Sequence, residues 1–208
     1  MNKFNVKYVL IALAVLITVA YSARLESEQT ELSRKLIRLR VVANSDSDAD
    51  QKYKIEIRDR ILTGIAPILS GATGSEEAAA RLRAAIPALA QEYPDCEITL
   101  QRRNFPEREY DTFTLPAGEY NSLQITIGAG KGENWWCVLF PPLCVEAVSA
   151  EDLDAEDAFA MLGDEQVRFI KGKSGEYKIK FRILEIIAEI KSRLGSDSRN
   201  RHRNDCSA

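Results

Sequence analysis

Hydrophobic and polar positions divide the chain into segments of different period. Behind Lys3 and Lys7, residues 8–20 form an uncharged apolar run (YVLIALAVLITVA). A positive start followed by an apolar stretch of about 7–15 residues is the shape of an export signal. Small residues at Ala20 and Ser22 allow cleavage after Ser22. Extended to Ala23, the run is still shorter than the ~20 residues of a standard spanning helix. Residues 1–23 therefore read as a signal peptide or a retained membrane anchor. Residues 24–36 are polar and helix-favouring with little apolar periodicity, which predicts a stalk.

The body opens with Ile37-Arg38-Leu39-Arg40-Val41-Val42, alternating and then β-branched, which is a strand pattern. Residues 43–50 (ANSDSDAD) form an acidic turn leading into a helix, and their carboxylates suit the positive end of its dipole. Tyr53, Ile57, Ile61, Ile65 and Ile68 recur at helical spacing and predict its buried stripe. A loop with Gly71 and Gly74 precedes a second helix, with Thr73 and Glu76 as a capping box. Its apolar face is Ala79, Leu82, Ile86, Leu89 and Tyr93, and Pro87 should kink it or break its hydrogen bonding. After Pro94 the period becomes two, placing Cys96, Ile98 and Leu100 on one strand face that Arg102 continues. Residues 110–115 and 120–127 predict a hairpin around Pro116-Ala117-Gly118. Residues 135–140 are apolar on both faces, as in a central strand. A last helix is expected over 177–194, followed by a polar, disordered tail over 195–208. The fold class is α+β, a mainly antiparallel sheet covered by helices over residues 37–194, behind an N-terminal signal or anchor segment.

Composition adds limits. The 208 residues carry a formal net charge of −3, and the first 23 contribute only Lys3 and Lys7. A net acidic body lacks the footprint of a nucleic-acid binder. The charge is uneven: residues 146–165 hold eight acids and no Lys or Arg, and the stretch after Arg168 is basic. Asp46, Asp48 and Asp50 suggest a calcium loop. That loop needs Gly at its sixth position and Glu at its twelfth, where Gln51 and Ile57 stand. Gly128-Ala129-Gly130-Lys131-Gly132 suggests a phosphate cradle. A P-loop needs Ser or Thr after the lysine and a helix next, whereas Gly132 and a strand follow. The single histidine, His202, lies in the tail, so no Ser-His-Asp or Cys-His site can be assembled, and no metal or cofactor site is expected. Outside the cytoplasm thiols pair. Cys137 and Cys144, flanking Pro141-Pro142, are candidates for a small disulfide ring; Cys96 and Cys206 have no evident partner.

Two segments carry a resemblance. One is Ile37-Arg38-Leu39-Arg40-Val41-Val42-Ala43-Asn44-Ser45-Asp46-Ser47, with Asp50-Gln51, Lys54 and Ile57-Arg58-Asp59. The other spans 128–144, where Trp135-Trp136-Cys137 leads to Phe140-Pro141-Pro142-Leu143-Cys144. Together they resemble the stage II sporulation protein R family of endospore-forming bacteria. The resemblance implies a non-enzymatic signal, made in the forespore and exported to the space between forespore and mother cell. There it would activate the membrane-embedded aspartic protease that processes the sigma-E precursor. Candidate contact residues are Asn44, Ser45, Asp46, Asp50 and Gln51 with Asn134, Trp135, Trp136, Pro141 and Pro142. Trp residues and turns exposed on loops suit a contact surface. The rival readings are an exported envelope hydrolase and an envelope-binding module.

Overall fold

The protein is described by a computed structural model over residues 3–110, 112–143 and 155–171. The first helix, α1 (Lys3–Lys35), carries the apolar run and the polar stretch behind it without a break. It is long and apolar enough to cross a membrane, and none of its apolar window is buried. The chain divides into two units, one of Glu31–Phe105 with Gly118–Arg168, the other of Met1–Thr30, Pro106–Ala117 and Phe169–Ala208.

The first of these units holds a four-stranded sheet. After β1 (Ile37–Val42) come α2 (Asp48–Leu69) and α3 (Ser75–Glu92), then β2 (Cys96–Phe105). The other unit contributes the short strands β3 (Arg108–Glu109) and β4 (Thr114–Leu115), which pair with each other. β5 (Gly118–Ile127) and β6 (Asn134–Phe140) complete the sheet in the order β2-β5-β1-β6. β5 runs antiparallel to β2 and parallel to β1, and β6 is antiparallel to β1. The sheet is therefore mixed, with two of its three pairings antiparallel. Short helices α4 (Ala155–Ala160) and α5 (Asp164–Lys171) follow.

Strand alternation gives the sheet two different faces. Ile37, Leu39 and Val41 of β1 join Leu123, Ile125 and Ile127 of β5 and Cys96 and Ile98 of β2 in one core. Ile57, Ile61, Leu62 and Ile65 of α2 and Ala78, Ala79, Leu82 and Leu89 of α3 close over it. At about 1.5–3 kcal/mol for each large side chain removed from water, this two-helix cover is the main source of stability. The last turn of α1 belongs to the same unit. Leu32 and Leu36 are fully buried, the Ser75 hydroxyl donates to the Arg34 carbonyl, and Lys35 reaches the Leu162 carbonyl at 2.8 Å.

Several expectations change. Tyr53 is exposed and Ile68 only partly buried, so the inward row of α2 is Lys54, Ile57, Ile61, Ile65. Thr73 bonds Glu77 rather than Glu76, through both its amide and its hydroxyl, and Gly74 occupies the cap position of α3. Pro87 sits inside an unbroken 18-residue helix. Residues 110–115 do not pair with 120–127. β4 pairs with β3, and β5 is taken by β2 and β1, whose long apolar faces offer more burial than a local turn does. β6 ends the order of described strands, and the central places belong to β1 and β5. The helix expected over 177–194 and the tail after it lie outside the described residues.

Candidate functional site

The two segments that carry the resemblance meet in space. The end of β1 runs into Asn44 and Ser45, and Ser47 caps α2 by accepting from the Asp50 amide at 3.2 Å. Against this entrance lies the loop between β5 and β6. Its six successive backbone amides all find protein acceptors. Gly128 donates to the Asp95 carbonyl, Ala129 to Asn44 Oδ1 at 2.9 Å, and Gly130 to the Ile127 carbonyl. Lys131 donates to the Asn44 carbonyl, Gly132 to the Ala43 carbonyl at 2.9 Å, and Glu133 to Asp46 Oδ1 at 2.7 Å.

Glycine is needed at each alternate position. Gly128 and Gly130 have φ of +53° and +60°, which L side chains rarely adopt. A Cβ on Gly132 would strike the Ser45 carbonyl. The loop is thus a clasp around Asn44-Ser45. A phosphate cradle needs free amides, and this one has none to offer.

The polar side chains at the helix entrance are likewise committed. Asn44 Nδ2 donates to Asp50 Oδ2 at 2.9 Å, and the Ser45 hydroxyl donates to the same oxygen. Hydrogen bonds from Ser45, then Asn44, hold the Asp50 carboxyl below its ordinary value. Gln51 Nε2 donates to the Ser45 carbonyl at 2.9 Å. Lys54, buried at 5 % exposure, donates to Gln51 Oε1 and to the Glu133 carbonyl at 3.1 Å. These acceptors compensate the burial of its ammonium group. Lys54 was missed as a site residue, although it stands in step with Ile57, Ile61 and Ile65. What the clasp leaves exposed is its rim: Asp46, Ser47, Asp48, Lys131 and Glu133.

The remaining candidate residues separate. Asn134 accepts from Arg40 Nε at 2.8 Å. Trp135 and Trp136, both half-buried, project to opposite faces of β6. Arg58 of α2 lies 4.7 Å from the Trp135 ring centroid. On the other face Trp136 meets Arg40 at 5.1 Å and the Phe105 ring at 4.9 Å. Pro141 and Pro142 follow the far end of β6, about 20 Å from Asn134 at ~3.3 Å per residue. Asn44, Ser45, Asp46, Asp50, Gln51 and Asn134 therefore share one end of the sheet, and the prolines do not.

Cys137 is buried and disulfide-bonded; Cys144 lies outside the described residues. Cys96 is a buried free thiol beside a cavity of about 170 Å³ lined by Tyr53, Arg60, Glu92, Tyr93 and Asp95 among others. Burial, then the neighbouring Asp95, pushes its pKa up, which is opposite to what a reactive thiol needs. Among the described residues no group of His, Cys, Asp or Glu could hold a metal ion.

The fold and clasp define an α+β domain preceded by a helix capable of crossing a membrane. The family model described as stage II sporulation protein R matches residues 33–150. Stage II sporulation protein R of Bacillus subtilis (strain 168) is 35 % identical over 191 residues, covering 79 % of this chain and 85 % of that one. This chain belongs to the stage II sporulation protein R family, and with it to sporulation. No solved structure matches it.

Proposed function

We propose that the protein is an exported signal that activates the membrane-embedded aspartic protease processing the sigma-E precursor in the mother cell. Family membership supports this reading, and one structural observation carries it furthest: the exposed apolar helix at the N-terminus, suited to entering a membrane and joined to a folded body. The body acts from the space between forespore and mother cell, released if the helix is cleaved and anchored if it is not. Its role is binding. To move the protease from a 1:99 to a 99:1 balance of inactive and active states, it must bind the active state roughly 10⁴-fold more tightly.

The contact surface in this reading is the rim of the clasp, Asp46 to Gln51, with Asn134 and Trp135 beside it. Trp136, Pro141 and Pro142 extend it only if the partner wraps around β6. Cys137 and Cys144 pair to close a small ring after β6. The deciding experiment is reconstitution of precursor cleavage with the protease in vesicles, with this protein supplied on the outer side. Cleavage that requires the protein supports activation; cleavage at the same rate without it ends the proposal. The rival readings have their own readouts, hydrolysis of purified envelope by the protein alone and its retention on peptidoglycan.

A further inference from the structure

β2 lies at one end of the strand order and bonds β5 alone, in an antiparallel ladder without a register shift from Cys96 to Phe105. Among the described residues no strand pairs with its outer side. A free edge is a template for another chain, and proteins usually block it with a proline, a bulge or a short strand. β2 has none of these: its ten residues (CEITLQRRNF) hold neither proline nor glycine. The opposite edge is less open to pairing. β6 has seven residues, its pairing with β1 contains a register shift, and it runs directly into Pro141-Pro142, which cannot donate to a ladder.

Two charges on β2 stand without a partner. Alternation places Glu97, Thr99, Gln101 and Arg103 on the face turned away from the core that holds Cys96 and Ile98. Glu97 is exposed and Arg103 half-buried. Among the described residues neither forms an ion pair, whereas Arg102, on the other face, pairs with Glu119 at 2.9 Å. Arg103 Nε is shielded from water with no acceptor. Between the two charges, Gln101 Nε2 donates to Thr99 Oγ1 at 3.2 Å.

The spacing of these charges selects a partner. Directly opposite residues of an antiparallel pair share a face, so two copies of β2 can pair only in registers centred on one residue. Centred on Thr99, Glu97 meets Gln101; centred on Gln101, Arg103 meets Thr99; centred on Arg103, the arginine meets itself. Only a centre at Leu100 brings unlike charges together. There Glu97 of each copy faces Arg103 of the other, and Thr99 faces Gln101. Leu100, partly buried against the core, then faces Leu100 of the second copy.

We propose that β2 is a self-association edge, on which two copies of this chain pair antiparallel about Leu100 with two reciprocal Glu97–Arg103 ion pairs. The four-stranded sheets of the two copies join into one, and the twofold axis closes the contact because each copy commits its β2 edge. Backbone hydrogen bonds supply the attraction, and the charge pairs set the register. A second copy fits better than an unrelated strand, because β2 carries its own charge complement. The inference does not depend on activation of the protease, so either can fail alone.

The test is sedimentation equilibrium of the full chain in uncharged, density-matched detergent. The native chain should be a dimer. Glu97→Arg and Arg103→Glu should each raise the dimer dissociation constant by about tenfold or more, since two attractive pairs become repulsive. An equimolar mixture of the two variants restores unlike charges at both positions and should form heterodimers as tight as the native dimer. That recovery separates a charge pair from a loss of folding, and circular dichroism of each variant should match the native chain. Arg83→Glu, on the exposed side of α3, should leave association unchanged. A native chain that stays monomeric overturns the proposal. So does self-association, through α1 for example, that neither charge reversal weakens, or a mixture that fails to recover it. A monomer that captures an extended peptide of unrelated sequence assigns the edge to another occupant and overturns it too.

Discussion

A methyl group added at Gly132 meets the Ser45 backbone, which cannot step aside without opening the clasp. Gly132→Ala should therefore cost roughly 2–4 kcal/mol in thermal unfolding of the full chain. Gly64 is the control, because a Cβ added there inside α2 would meet nothing within 4 Å beyond its own stretch of helix. Gly64→Ala should stabilise by up to about 1 kcal/mol through helix propensity. Opposite signs for two Gly→Ala changes would separate a packing requirement from a general effect of glycine. Equal effects would remove the case for the clasp. Cys96 gives a second check. Its thiol is buried and titrates above its ordinary value, so iodoacetamide at pH 8 should modify it slowly in the folded chain and rapidly in denaturant. Fast labelling of the folded chain would contradict the burial described. The three glycines were legible in the sequence as a turn, but their cause was not. For Gly128 and Gly132 the atoms in the way belong to Asn44 and Ser45, far earlier in the chain, and no local spacing reports such a neighbour.

Helix ends carry the next set of expectations. Ser47 caps α2, and Ser47→Ala should lower stability by about 1 kcal/mol. At the start of α3, Thr73 and Arg81 hold Glu77. Hydrogen bonds from the Thr73 amide, then its hydroxyl, then Arg81 bring the Glu77 carboxyl from 4.5 down to about 2. The folded state thus favours the charged form more than the unfolded chain does. Its contribution is complete above about pH 4.5 and is lost as the pH falls towards 2. The stability gap between the native chain and Glu77→Gln should close over that window, and a gap that widens with acid would refute the assignment. Local pattern located both helices well. It misplaced the capping partner by one residue and chose Tyr53 over Lys54, because periodicity ranks a lysine as an outward residue even where its ammonium group has two acceptors inside.

At the scale of the whole molecule, the strands were legible and their pairing was not. The segments 37–42 and 120–127 read correctly as strands, yet they pair in parallel with two helices and three strands between them in the chain. A sequence offers turn residues as evidence for hairpins and nothing comparable for a crossover, so the local hairpin was preferred. Arg38 belongs to the polar half of an alternating strand, yet it is fully buried against the Phe105 ring, which comes from a strand two places away in the sheet.

The clasp also bears on how the chain is made. Its halves are joined by bonds that span 85 and 87 positions. A polypeptide emerging N-terminus first presents Asn44 and Asp46 long before Ala129 and Glu133 exist to meet them. Until then the entrance of α2 has its carboxylates and amides open to water, and the register of β1 against β5 is not yet secured. Closure is thus a late, all-or-none step that waits on nearly the whole body. A protease that samples nascent chains should cut near residues 44–51 before that moment and leave them untouched afterwards, and amide exchange across 128–133 should then be as slow as in the strands on either side.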